Sequence, residues 1–392
     1  MSISVYLTLP MKKQQIKHSW KTSVQENIEG DEKRTALYTW PRVSFDIRFG
    51  VFSEAQRRFI RAHLYRNTSD IWGIPIRHDK SLLTVTASSG QAILTLDDTN
   101  NRHFYAGREC ILIDPDDWES YEAATINTVD SSTQITLSAN LTYTWPAGSL
   151  VFPCYECHIR PVQQINVRRR GINWLAIEAT ESFESDRSFE YTLPESGAET
   201  YNGLDLFVYH PLLPGAEQFK HPFDLHEFFG KQYIHSDYKE TRFSYKYSFF
   251  LSSREEVWGM LRFFDSKQGR FQVFYTPTWS DDIIVTGAIS ATDTVLTTRP
   301  VVYLSSSEII GRHIYIQFPD KTYVCRQIVD VPTSTTIELD DVIGTSVDLS
   351  DIGEMLVSFL YTAHFGADDI LLNYYPGIEA GKVNLTLDTV WE

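Results

Sequence analysis

The sequence predicts a mainly β fold with α+β nuclei: two duplicated β-sheet-plus-helix domains, each with an inserted small β-barrel or sandwich module. Three observations carry this expectation. Aromatic residues make up 14% of the chain, with 21 Tyr, 23 Phe and 9 Trp, and together with the β-branched residues they favour sheets over helical bundles. A shift of about 200 residues lays one half of the chain on the other. Strand, helix and strand recur in the same order in both halves.

The repeat begins where Arg42-Val43-Ser44-Phe45 falls on Arg242-Phe243-Ser244-Tyr245. Ser53 then falls on Ser253, Ile60 on Met260, Leu64 on Phe264 and Val85-Thr86 on Val285-Thr286. Further on, Gly107-Arg108 matches Gly311-Arg312, Tyr121 matches Tyr323, Ile135-Thr136-Leu137 matches Ile337-Glu338-Leu339, and Gly148 matches Gly353. The offset drifts only from 200 to about 205. Identity is low, but a conserved order with so little drift points to duplication.

Each copy starts with an alternating strand, Val43 to Phe49 and Phe243 to Phe249, because apolar positions recur with period two. A helix follows. Ser53 with Gln56 and Ser253 with Glu256 have the spacing of a capping box, in which hydroxyl and third-position side chain satisfy orphan amides reciprocally. Ala55, Phe59, Ile60 and Leu64, and Val257, Met260, Leu261 and Phe264, recur at helical spacing and should face a sheet. The next strand is Ile71 to Ile76 in the first copy and Phe271 to Tyr275 in the second.

The stretches 82–159 and 283–365 have no helical periodicity. Short β candidates at Leu82 to Thr86, Ala92 to Leu96, Cys110 to Ile113, Thr125 to Val129, Gln134 to Leu137 and Leu150 to Tyr155 are separated by turn residues, as in a small barrel or sandwich. The first host core then covers 42–81 and 160–179, resuming with strands at Gln164 to Val167 and Trp174 to Ala179. The second covers 242–282 and 366–392, with Ile370 to Tyr374 and Val383 to Leu387 answering. Residues 1–41 read as an N-terminal arm and strand. Residues 180–241, with Pro194, Pro211, Pro214 and Pro222, read as an extended connector arm too interrupted for a regular element.

At 392 residues and 45.1 kDa, the length asks for two or three domains. A net charge of −16 argues against nonspecific nucleic-acid binding, since a phosphate backbone would repel the chain. Lys12 and Lys13 follow the first apolar stretch instead of preceding it, a poor signal peptide. No run of about 18 apolar residues could cross a bilayer as a helix. Four cysteines are too few for a disulfide scaffold and fit a reducing cytosol.

The chemistry-bearing motifs are weak, and no cofactor is expected. Cys154-Tyr155-Glu156-Cys157-His158 has haem-attachment spacing, yet positions three apart on a strand point to opposite faces. His226-Glu227 lacks the second histidine of a zinc-protease helix. Asp114-Pro115-Asp116-Asp117 lacks the glycine and distal Glu of a calcium loop and reads as a solvated turn. Neither a phosphate loop nor a nucleophile elbow is present.

The segment from Arg42 to Lys80 carries eight basic and four acidic residues, a local +4 in an acidic chain. Arg57, Arg58, Arg61 and Arg66 on the first helix or its end are candidate subunit-interface residues, where opposite potentials would fix register. The plainer reading of the same arginines is a solvated face. Arg168-Arg169-Arg170-Gly171 reads as a hairpin tip. Trp118, Tyr143 and Trp145 are candidates for stacking on glycans, although aromatics in small β modules are more often core.

One resemblance joins these observations. Trp20, Gly30, Glu32, Arg34, Trp40-Pro41-Arg42 and Phe45, then the helix, then Ile71-Trp72-Gly73-Ile74, resemble the tailed-bacteriophage tail-tip proteins of the distal-tail type, including their equivalents in gene-transfer-agent particles. Leu261-Arg262-Phe263-Phe264, Gly269-Arg270-Phe271-Gln272-Val273-Phe274 and Trp279-Ser280-Asp281 resemble that family's helix end, glycine turn and aromatic strand. Such proteins usually carry one nucleus where this chain has two. The resemblance implies a non-enzymatic virion protein, assembled in the host cytoplasm, that forms a ring or hub between tail tube and host-recognition proteins. Its implied partners are copies of itself in a sixfold or threefold ring, the tail tube and other tail-tip proteins. Glycan binding through the inserts, and a depolymerase using unassigned carboxylates, are the other function classes.

Overall fold

The computed structural model describes residues 3, 5–8, 11–26, 32–51, 53–160, 164–169, 172–182, 193–220, 224–228, 231–235, 242–301, 306–375 and 379–390. The chain is mainly β. Strand β1 (Val5–Tyr6) precedes β2 (Met11–Ser19), the hairpin β3 (Thr22–Glu26) and β4 (Glu32–Ala36), and β5 (Arg42–Val51). Along β5 the alternation is realised as expected, with Val43, Phe45, Ile47 and Phe49 buried. Helix α1 (Glu54–Arg66) starts at a complete capping box: Gln56 N donates to Ser53 Oγ and Ser53 N to Gln56 Oε1. Strands β6 (Ile71–Pro75), β7 (Ser81–Leu82), β8 (Ile93–Thr95), β9 (Glu109–Ile113), β10 (Tyr121–Ser131), β11 (Gln134–Leu137), β12 (Leu150–Ile159), β13 (Gln164–Arg169) and β14 (Ile172–Glu181) follow.

The later part of the chain runs β15 (Thr200–Tyr201), β16 (Leu204–Asp205), β17 (Leu212–Lys220), hairpin β18 (Asp224–Phe228) and β19 (Lys231–His235), then β20 (Arg242–Leu251) and α2 (Arg254–Ser266). It continues through β21 (Phe274–Pro277), β22 (Val295–Thr297), α3 (Ser306–Ile309), β23 (His313–Gln317), β24 (Tyr323–Thr333), β25 (Thr336–Leu339), β26 (Leu356–Phe365), β27 (Asp369–Tyr374) and β28 (Gly381–Thr389).

The pairings of the first part recur in the second. β5 pairs with β14 as β20 pairs with β28, and β2 flanks β5 as β17 flanks β20. Pro75 pairs with Cys154 as Pro277 pairs with Leu360. Leu7 N donates to Gly73 O at 3.0 Å, and Phe207 N to Tyr275 O at 2.8 Å. Ile47, Ile60, Trp72 and Ile177 belong to one hydrophobic cluster, whereas Leu94, Leu112, Ile126 and Val151 form another. In the second part Phe249, Met260, Phe274 and Leu387 are likewise separate from Ile289, Leu296, Ile316 and Ile337.

Eight strands join both parts in one antiparallel sheet, in the order β13-β14-β5-β2-β27-β28-β20-β17. Among the described residues, β13 pairs only with β14 and β17 only with β20, so these two are its edges.

Several expectations need correction. Ala55 is exposed, because the sheet-facing stripe of α1 is narrow and only Ile60 is buried, with Phe59 and Leu64 half-buried. The second cap is half a box: Glu256 N donates to Ser253 Oγ at 3.2 Å, but the Glu256 carboxylate turns to Ser252 N at 2.6 Å. The strand after α2 starts at Phe274, because a turn through Gly269 occupies the residues before it. Thr84 N and Thr286 N donate to Thr95 O and Thr297 O respectively, so Val85 does not answer to Val285. Residues 180–241 are not too interrupted for regular structure. Pro214 and Gly215 lie where the register slips between Leu212↔Ser248 and Ala216↔Lys246, and such a bulge tolerates a residue with no N–H. Pro222 lies outside the described residues.

Candidate assembly interface

Strand β2 lies between the two parts. Gln15, Ile16, Lys17, His18 and Ser19 pair with Asn373, Leu372, Leu371, Ile370 and Asp369 on one side, and with Asp46 through Arg42 on the other. Its apolar inward position puts Ile16 opposite Leu372, both buried. The strand ends by docking on the C-terminal end of α2. There the buried Asp265 carboxylate meets His18 Nδ1 at 3.0 Å through one oxygen and accepts from Trp20 Nε1 at 2.9 Å through the other. With both oxygens partnered, burial of this acid is tolerable. Gly269 is required beside it: at φ +63°, an added Cβ would stand 3.1 Å from Asp368 Cα and 3.3 Å from Trp20 Cβ.

The hairpin β3–β4 continues the contact. Arg242 Nη1 donates to Glu32 Oε1 at 2.8 Å and lies 3.1 Å from Glu26 Oε1. His364 and Arg242 hold the Glu32 carboxyl below its ordinary range, at about 2.

A second contact centres on Asp79, which follows β6. Arg254, the first residue of α2, donates to Asp79 Oδ1 at 2.7 Å and also bonds His78 O. Its Nε lies 3.1 Å from Glu379. The other Asp79 oxygen accepts from His103 N at 2.9 Å and meets the His103 ring. His78 stacks on Tyr374 with centroids 3.5 Å apart, and His103 meets Trp258 edge-on at 4.8 Å. Burial alone would raise the Asp79 pKa, but His78, His103 and Arg254 outweigh it and hold the carboxyl well below its ordinary range. Burial pushes His78 down to about 3, so its ring is neutral at neutral pH.

His78, Asp79 and His103 are the three residues that have metal-ligand spacing among the described residues. They do not fit a divalent cation, because the Arg254 guanidinium already stands against the carboxylate that would bind it. The cluster reads as a charge-balanced lock between the two parts.

The residues singled out in the sequence lie elsewhere. Arg58, Arg61 and Arg66 are exposed on α1 and have no ion-pair partner among the described residues, while Arg57 pairs with Glu54 at 3.3 Å one turn earlier. Trp145 is 5% exposed, belongs to the cluster of Leu94, Leu112 and Ile126 and donates to Glu122 at 2.8 Å, so it is corrected from glycan candidate to core. Trp118 is half-buried and packs edge-on against Phe59 at 5.2 Å, which removes it too. Tyr143 remains exposed, at 62%.

Cys154 and Cys157 sit on β12 in different hydrophobic clusters, as period-two alternation requires, and burial raises both thiols well above their ordinary range. His226 and Glu227 lie on a strand. Asp116 N donates to Asp114 Oδ1 at 2.9 Å, making the acidic run a self-satisfied turn. Residues 168–171 span the β13–β14 connection, of which 170 and 171 lie outside the described residues.

Among the described residues no helix is long and apolar enough to cross a membrane. No known family model and no curated protein matches the chain.

Proposed function

We propose that this protein is a structural, non-enzymatic subunit of a bacteriophage tail tip or baseplate, forming a ring or hub that joins the tail tube to host-recognition proteins. On this reading the chain is a duplication. Each unit has a sheet-and-helix core with an inserted β module, and the second begins near Asp205 with a lead strand and hairpin of its own. The supporting observation is the β2 junction: β2 pairs with β5 on one side and β27 on the other, so that eight strands share one sheet whose edges, among the described residues, are β13 and β17. An architecture that adds units along a sheet suits a scaffold, whose task is repeated edge contacts. At the junction both oxygens of the buried Asp265 carboxylate are partnered, by His18 and Trp20, and both of Asp79, by Arg254 and His103. A sugar-stacking role would rest on Tyr143 alone. The test is immunogold labelling of intact particles with an antibody to this chain: label confined to the tail end is expected, and label on the head or on free protein only would overturn the reading.

A further inference from the structure

The internal junction has unfilled counterparts at the two edges of the sheet. Gln15 opposite Asp46 on β5 corresponds to Ala216 opposite Lys246 on β20, and His18 opposite Val43 corresponds to Phe219 opposite Phe243. Asn373 opposite Lys382 on β28 corresponds to Asn166 opposite Trp174 on β14. Within the chain, the lead strand β2 of one unit pairs with β27 of the other. The corresponding strands β17 and β13 are each paired on one side only among the described residues. An edge strand presents a row of backbone donors and acceptors that a like strand can extend.

We propose that chains assemble head to tail by joining β17 of one to β13 of the next, antiparallel, with Ala216 opposite Asn166 and Gln218 opposite Gln164 of the next chain. This repeats between chains the register that Gln15↔Asn373 and Lys17↔Leu371 set within one. The proposal rests on the structural reading above and deepens it by naming the surface and its partner, a second copy of this chain.

Two observations besides the backbone register support the same docking. At the internal junction His18 bonds Asp265 at the end of α2. The corresponding residues are Phe219, 64% exposed, and Tyr65, 91% exposed at the end of α1. Docking as proposed brings these two aromatics together, so a hydrophobic contact replaces the polar one.

The second observation is charge. Asp79 lies four residues after Pro75 and binds the start of α2. Its counterpart, four residues after Pro277, is the exposed Asp281, which docking brings to the start of α1. There Glu54, paired with Arg57, stands where Arg254 does on α2, so the charge opposite to Asp281 comes from Arg57 and Arg58 one turn further on. The contact is heterologous, so it closes into a ring when its rotation divides a full turn. Each chain then contributes two units and two equivalent junctions.

The test is site-directed crosslinking with mass measurement. Ala216→Cys and Asn166→Cys are combined in one chain, treated with a short bis-maleimide and compared with each single variant. The native cysteines are buried and give little background. The expected result is a ladder of crosslinked chains ending in one largest species, formed only by the double variant, with Gln218→Cys/Gln164→Cys behaving alike and Leu212→Cys/Gln164→Cys giving none. Phe219→Glu, which alters an exposed residue, is expected to abolish the multimer while leaving the melting temperature unchanged. Multimers by mass with no crosslink in register would overturn the edge pairing and leave the scaffold reading standing. Monomers alone would overturn the edge pairing as well. The scaffold reading then stands or falls on the tail labelling.

Discussion

Helix α2 buries Val257, Met260, Leu261, Phe263 and Phe264, whereas α1, which follows an equivalent strand and starts at an equivalent serine, buries Ile60 alone. Val257, Trp258 and Leu261 of α2 have Arg57, Arg58 and Arg61 as their counterparts on α1. The start and end of α2 are held by the earlier part of the chain through Asp79, Trp20 and His18, while among the described residues no such contact from a distant carboxylate or histidine holds the ends of α1. On the proposed assembly, the contrast is between an interior junction, sealed with a buried carboxylate and aromatics, and an outer one whose helix face carries arginines.

The largest expected difference concerns the two corresponding acids. Asp79→Ala removes a buried carboxylate, leaves Arg254 with the exposed Glu379 as carboxylate partner and takes the partner from His103 N, and is expected to cost about 3–5 kcal/mol, the usual effect of breaking a buried pair. Asp281→Ala is expected to change the stability of the isolated chain by no more than about 0.5 kcal/mol, since it alters a solvated side chain. Urea denaturation of both variants checks this. Equal costs would break the comparison.

Acid should act on the interior junction next. His78 has its pKa lowered to about 3 by burial, and burial lowers His103 as well. Below the ordinary histidine pKa of about 6.5 the unfolded chain takes up protons that the fold refuses, so stability falls as pH drops from about 6.5 toward about 3. The Asp79 and Glu32 carboxyls, both lowered, extend the loss further into acid. The melting temperature is expected to be lower at pH 5 than at pH 7, with a smaller drop in His78→Asn. Ser280 stands at the position that corresponds to His78, so the proposed outer junction has no histidine there to titrate. An unchanged or higher melting temperature at pH 5 would contradict the assignment.

The smallest effect on folding is expected from Arg57→Glu, Arg58→Glu and Arg61→Glu together. These are solvated or half-exposed positions, so the shift in stability should stay near about 1 kcal/mol while assembly, followed by light scattering, is lost. Retained assembly would remove the docking role of this helix face.

Much of the fold was legible in the sequence because it rests on local signals. Alternation marked β5 and β20, and serine caps marked both helices. The lead strands were less legible. Pro214 and Gly215 look like breakers, and only the partner strand shows that they fall at a bulge. The charged lock was illegible, since Asp79, His103 and Arg254 are brought together from distant positions by the sheet and not by any motif. Under the proposed duplication Leu7 answers to Phe207 and β2 to β17. Low identity between Met11–Ser19 and Leu212–Lys220 hid this correspondence. The arginines of α1 were visible as a charge cluster, but their contrast with Val257, Trp258 and Leu261 acquires meaning only once α2 is seen to be covered.

The central claim is that this chain is built to be continued by copies of itself. The most direct measurement is negative-stain microscopy of the purified protein, concentrated and imaged without fixative. Closed rings of uniform size are expected, with lobes that number twice the chains given by mass. A uniform field of single particles of one chain's mass at every concentration would contradict it.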